Sequence, residues 1–140
     1  MAYIWSPALE TGYGKIDEQH MQLFDALNKI ADAFEQGKGA AEIFKTIDFL
    51  AEYTVMHFQT EEELMKKYKY PEYTVHKNYH DDFRTTVREF TAEIRSKGPN
   101  EELIVAVTTT VGDWLSSHIR VDDVKMAAFL ESKEFEELDF

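Results

Sequence analysis

Four stretches of this chain repeat apolar residues at steps of three and four, and only a few breaking residues separate one stretch from the next. That spacing puts the apolar residues on one face of a helix, and it excludes the period-two alternation of a strand. The first stripe reads His20, Leu23, Phe24, Leu27, Ile30, Ala31 and Phe34 before Gly37, Lys38 and Gly39. The second, over about 40–68, reads Ile43, Ile47, Leu50, Thr54, His57, Glu61, Leu64 and Tyr68, up to a turn at Tyr70 and Pro71. The third reads Tyr73, His76, His80, Phe83, Val87, Phe90 and Ile94, and is broken at Gly98 and Pro99. The fourth reads Ile104, Val107, Val111, Trp114, Leu115 and His118. Asp17 and Asn100 are the predicted N-caps of the first and fourth helices. Long amphipathic helices joined by short loops predict an all-α, antiparallel up-down-up-down four-helix bundle.

At 140 residues one domain is expected. Its parts would be an extended N-terminal arm over 1–16, the bundle over 17–121, and a short C-terminal helix with a tail over 122–140. The tail helix is placed at 124–130, and Trp5 is expected to pack against the bundle. No internal repeat or low-complexity tract is visible. With no cysteine, disulfides, thiolate zinc sites and iron–sulfur clusters are excluded together. A formal charge of −12 argues against nucleic acid or an anionic membrane as partner. The first residues lack the basic and apolar regions of a signal peptide, and no segment is long and apolar enough to span a bilayer. A cytoplasmic protein is expected.

All five histidines, His20, His57, His76, His80 and His118, fall on the inward stripes. Glu61 follows His57 by four residues, and Asp122 and Asp123 follow His118 by four and five. Buried imidazoles and carboxylates are costly unless something binds them. In an antiparallel bundle the start of helix one, the end of helix two, the start of helix three and the end of helix four share one end. These groups therefore converge on one layer, which points to a metal centre. Five imidazoles and two carboxylates exceed the four ligands of one structural zinc, and imidazole suits iron, zinc or copper. Two six-coordinate ions would be filled to within one position by these groups and one shared oxo or hydroxo. The position left over suits a small exogenous ligand.

The segments Ile16-Asp17-Glu18-Gln19-His20, His57 to Glu62 with Met65, His76 with His80, and Trp114 to Ile119 with Asp123 resemble the hemerythrin family, in its single-domain bacterial form. The likeness covers nearly the whole chain, Trp5 and Gly12 included. Tyr13 departs from it, standing where an aliphatic residue is more usual. The resemblance implies a non-haem di-iron site with a bridging oxo or hydroxo that binds dioxygen reversibly. Carried over residue by residue, it implies that His76, His80 and His118 ligate one iron, that His20 and His57 ligate the iron with the open position, and that Glu61 and Asp123 bridge. Ideal helix geometry favours Asp122 over Asp123, because a residue at i+5 lies about 140° from the face of residue i. The family spacing selects Asp123 and requires the helix to end or loosen after Ile119.

Phe24, Phe58, Trp114, Leu115 and Ile119 lie near the ligands in sequence and are expected to wall an oxygen pocket against water. None is a general acid. The functional expectation is an oxygen carrier, store or sensor rather than an enzyme. A di-iron oxidase or peroxidase is the main alternative, and an iron-handling protein is another. Ferritin-like di-iron enzymes use paired Glu-x-x-His motifs, and this chain has none. No protein partner is indicated by the sequence.

Overall fold

The computed structural model of the protein describes Tyr3 and residues 5–137. Residues 1, 2 and 4 of the expected arm and 138–140 of the expected tail lie outside the described residues. Helices α1 (Gly14–Glu35), α2 (Ala40–Lys67), α3 (Tyr73–Lys97) and α4 (Glu101–His118) form the predicted four-helix bundle, and no strand occurs among the described residues. In the bundle α1 packs on α2 and α4, and α3 packs on α2 and α4, so neighbours in sequence are neighbours in space. No described helix is long and apolar enough to cross a membrane.

The ends of the helices follow from local chemistry. Asn100 caps α4 as expected, its side chain accepting the Leu103 N–H at 3.0 Å. Asp17 is not a cap, because α1 already begins at Gly14. Its carboxylate instead accepts the Thr11 N–H and hydroxyl and the Gly12 N–H, and so organises the turn that feeds the helix. Helix α1 ends in a pair of reversed hydrogen bonds, Gly37 N–H to the Phe34 carbonyl and Lys38 N–H to that of Ala33. This motif needs a left-handed residue, and Gly37 supplies it at φ 70°. Helix α2 ends in the same way, but there Lys69 takes the left-handed conformation at φ 57°.

The N-terminal arm is more ordered than a plain extended segment. It contains a single 3₁₀ turn at Pro7–Leu9, and Leu9 is buried. Asn28 clamps Tyr3 through two backbone contacts of 2.9 Å each. The Tyr3 ring sits against Gly112, where an added Cβ would stand 2.0 Å from its Cζ carbon. Only glycine fits there. Trp5 packs on the core as expected, its ring 6.2 Å from that of Phe24.

The C-terminal segment differs from the expected short, separate helix over 124–130. Helix α4 runs without interruption through a π-helical turn, Ile119–Asp123, into α5 (Val124–Glu137). The backbone stays in the right-handed helical region throughout this junction. Helix α5 therefore extends past the expected stop at 130. It carries Met126 and Leu130 into a small apolar cluster with Ile16, Met65 and Tyr70. Ile16 and Met65 lie one turn beyond His20 and Glu61 towards the bundle end. This cluster therefore closes one side of the histidine layer, and the main core closes the other.

Candidate metal centre

Each element delivers its polar group where its apolar stripe reaches the closed end. Helix α1 supplies His20, α2 supplies His57 and Glu61 one turn apart, and α3 supplies His76 and His80 one turn apart. His118 is the last residue of α4 and Asp123 the last of the π turn. None of the seven side chains is more than 4 % exposed. The expected convergence in one layer is what the structure contains.

The two carboxylates divide their oxygens between two groups of imidazoles. Glu61 Oε2 lies 2.8 Å from His57 Nε2 and 3.3 Å from His20 Nε2. Its Oε1 lies 3.1 Å from the Nε2 atoms of both His76 and His80. Asp123 repeats the pattern, with Oδ2 at 2.9 Å from His20 Nε2, and Oδ1 at 3.1 Å from His76 Nε2 and 3.2 Å from His118 Nε2. Two overlapping donor sets result. One comprises His76, His80, His118, Glu61 and Asp123, and the other His20, His57, Glu61 and Asp123.

Asp123 reaches this position because of the π turn. A π turn takes one more residue than an α turn, so residue i+5 comes back under residue i. Asp122, which an ideal helix would favour, lies outside the cluster. Its carboxylate takes the other nitrogen of His118, at 2.9 Å from Nδ1. The helix loosens from Ile119 onward rather than ending, and Asp123 is the carboxylate that joins the cluster.

Three of the five outer nitrogens, those of His57, His80 and His118, are held by neighbouring side chains. His80 Nδ1 lies 2.8 Å from Glu62 Oε2, and Glu62 is in turn held by Arg84 at 2.8 Å. His57 Nδ1 lies 2.8 Å from the amide oxygen of Gln19. These acceptors fix the tautomer, with the proton on Nδ1 and the Nε2 lone pair turned inward. Sequence reasoning assigned no role to Gln19 or Glu62. The contacts cross between helices, and the sequence signal was only that both residues stand in the segments that resemble the family, next to His20 and Glu61.

This donor set fits a cation. The Nε2 atoms of His80 and His118 face each other at 3.2 Å while both Nδ1 atoms are occupied by carboxylates. Two inward lone pairs at that distance repel unless a proton or metal lies between them. Both oxygens of Asp123 are buried and have only the inward imidazole nitrogens of His20, His76 and His118 as polar neighbours, an arrangement that a buried carboxylate tolerates when it binds a charge. The titration behaviour agrees. Burial lowers the imidazoles of His20 and His76, but bonding and charge from Asp123 and Glu61 outweigh it and hold both at about 9. Burial also lowers His118, yet Asp123 and Asp122 bring it up to about 10. For His57 burial prevails over Glu61, and its pKa is lowered. Burial raises Glu61, but the surrounding imidazoles, His57 foremost, pull it well below the carboxylate range. Asp123 is raised by burial and by Glu61, and is lowered overall by His118 and His20.

The hemerythrin HHE cation binding domain matches residues 11–130, a span that contains all seven residues of the cluster. The chain belongs to the hemerythrin family. It is 37% identical over 118 residues to the bacteriohemerythrin of Methylococcus capsulatus, covering 82% of this chain and 86% of that one. It is 33% identical over 120 residues to the bacteriohemerythrin of Stenotrophomonas maltophilia, covering 86% and 76%. The myohemerythrin of Sipunculus nudus is 29% identical over 123 residues, covering 88% and 89%. A crystal structure of wild-type hemerythrin superposes with a TM-score of 0.82 at 32% identity, covering 93% of this chain and 98% of that one. Hemerythrins bind dioxygen at a di-iron centre, and the His/Glu/Asp cluster of this chain fits such a site.

The predicted pocket residues divide around the centre. Phe58 stacks on His80, with centroids 3.8 Å apart and rings 6° from parallel. Trp114 stacks on His118 at 4.4 Å and on Phe83 at 4.1 Å. Leu115 and Ile119 are fully buried in the main core with Phe24 and Phe58. On the other side Phe58 also reaches His57, at 5.7 Å between centroids, and the ring of Trp5 lies 6.4 Å from His20. Trp5 was expected only to pack, and its place beside His20 was not legible in the spacing.

Proposed function

We propose that this hemerythrin-family chain is a reversible dioxygen-binding protein, acting as a carrier, store or sensor and not as an enzyme, in the cytoplasm. In this reading His76, His80 and His118 hold one iron, His20 and His57 hold the other, and Glu61 and Asp123 span the two. The supporting observation is the division of each carboxylate, one oxygen towards each imidazole group. One set has three imidazoles and the other two, so the place for an exogenous ligand falls on the side of His20 and His57. When bound, the iron pair supplies the electrons and the open position that dioxygen requires.

The chain's own residues do the rest. Gln19, Glu62 and Asp122 keep the Nε2 lone pairs of His57, His80 and His118 turned inward, so the donor set is preorganised. Phe24, Phe58, Trp114, Leu115 and Ile119 exclude water, and no general acid is among them. A dry pocket without a proton donor slows loss of reduced oxygen and favours release of intact O2. The same lack of proton donors supports binding over oxidase chemistry.

The test is the purified, iron-loaded protein. The reduced form should develop a charge-transfer band under O2 that bleaches when argon replaces the gas, with two irons per chain. Consumption of O2 with turnover of a reductant would transfer the protein to the oxidase class.

A further inference from the structure

A groove of about 390 Å³ runs between α2 and α3 on the outside of the bundle, and none of the seven cluster residues lines it. Its floor and walls are Ala51 and Val55 from α2 and Val87 and Ala92 from α3. The two alanines leave the space open where larger residues would close the helix pair. Thr54 and Thr91 also line it, but both hydroxyls donate back to their own helices, to the Leu50 carbonyl at 2.7 Å and the Val87 carbonyl at 2.8 Å. Neither hydroxyl proton is left for a ligand.

The charged groups of this groove are all of one sign. Arg84, Arg88 and Arg95 line it, and no carboxylate does. These are three of the four arginines in a chain with 27 acidic against 15 basic residues. Two are already engaged. Arg84 holds Glu62 and Asp81, and Arg95 holds Asp48 with both contacts at 2.6 Å. Arg88 lies between them on the same face of α3, and among the described residues no ion pair or hydrogen bond engages it. A pocket of this size, mainly apolar and with one free guanidinium, has the make-up of a site for a small amphiphilic anion.

We propose that the α2–α3 groove binds a single-chain amphiphile with an anionic carboxylate or phosphate head, its head on Arg88 and its alkyl chain between Val55, Val87 and the two alanines. The guanidinium fork matches either head group in a two-bond geometry, and the alkyl chain gives selectivity over inorganic anions. The acidic remainder of the surface repels the same ligand elsewhere, so one site per chain is expected.

Isothermal titration of the full-length, iron-loaded protein with dodecanoate and with dodecyl phosphate, below their micelle concentrations, tests this. Both should bind at one site, and 1-dodecanol and inorganic phosphate should each bind at least about tenfold more weakly. Arg88→Gln should weaken dodecanoate about tenfold or more, and Ala92→Leu, which fills the groove, should do likewise with Arg88 intact. Circular dichroism and iron content should be unchanged in both variants, because neither residue touches the metal ligands. Equal binding of dodecanoate by all three proteins would overturn the proposal. So would phosphate binding as tightly as dodecyl phosphate, or no binding at all.

Discussion

The two halves of the centre are built from the same ligand types but supported differently. On the side of His76, His80 and His118, two outer nitrogens rest on carboxylates, Glu62 and Asp122, and two rings are covered by stacked aromatics. On the side of His20 and His57, one outer nitrogen rests on the neutral amide of Gln19, and His20 Nδ1 is buried with no partner. A carboxylate behind an imidazole raises its basicity as a ligand and stiffens it; an amide does so less. The difference teaches how one bundle makes a closed site and an open one from similar parts. In the proposed assignment the strongly anchored half is the one that holds its ion closed in, and the weakly anchored half is the one that takes the guest.

Removing the metal abolishes the difference and should have the largest effect. Seven buried polar groups would then share a layer with no cation, and metal binding is coupled to folding. Exhaustive chelation is expected to lower the melting temperature by on the order of 10 °C or more, read by calorimetry. An unchanged transition would mean that the cluster folds without help and the halves are not metal sites.

Breaking one half at a time comes next. His57→Ala should leave close to one iron per chain, because the five-donor half is intact. His80→Ala and Asp123→Ala should lose most of both, the first by opening that half and the second by removing a shared oxygen donor. Asp122→Ala should retain two irons. Metal analysis after gel filtration separates these outcomes, and equal losses from His57→Ala and His80→Ala would contradict the asymmetry.

The support behind the ligands gives a third, smaller test. Glu62→Gln and Asp122→Asn keep hydrogen-bonding groups but remove the charge behind His80 and His118. Loss of such a partner costs roughly 10–100-fold in metal affinity. Gln19→Ala should fall at or below the lower end of that range, because the group removed is neutral. Competition with a chromophoric chelator reads all three, and the comparison fails if Gln19 proves the most costly.

How much of this was legible beforehand depends on the direction of the contact. Stripes, loops and the convergence of five histidines are properties of single helices and of their order, so spacing carried them. The Nδ1 anchors Gln19 and Glu62 act across helix pairs, and no period within one helix reports such contacts. Asp17 looked like a cap because it precedes the apolar stripe, but its carboxylate is used by the turn before it. The π turn was legible only as a conflict, Asp122 by geometry against Asp123 by resemblance. Ideal α periodicity has no place for the extra residue, so a failure of that periodicity beside a ligand was itself the signal.

Leu115 probes the wall rather than the anchors. It is buried in the same core cluster as Phe58, and Trp114 packs against that cluster. Leu115→Ala should cost about 2–5 kcal/mol of stability through the cavity it leaves. It should leave two irons bound while water enters and autoxidation of the oxygenated form accelerates. Spectral decay in air measures this, and an unchanged decay with full iron content would remove Leu115 from the wall.

The smallest effect concerns Trp5, the aromatic beside the weakly anchored half. Its Nε1–H is buried and finds no acceptor, while its ring packs edge-on against Phe24. A buried donor without a partner costs about 1–3 kcal/mol, so its removal should not destabilise. Trp5→Phe keeps an aromatic ring beside Phe24 and deletes the N–H. Iron content should stay at two, and the melting temperature should hold or rise by a few degrees, after allowance for the smaller ring. A fall of that size would show that the N–H is satisfied in solution, with His20 Nδ1 as the neighbouring unpaired nitrogen to examine first. In that case His20 would be anchored after all, through the arm, and the two halves would differ in the strength of their anchors rather than in having them.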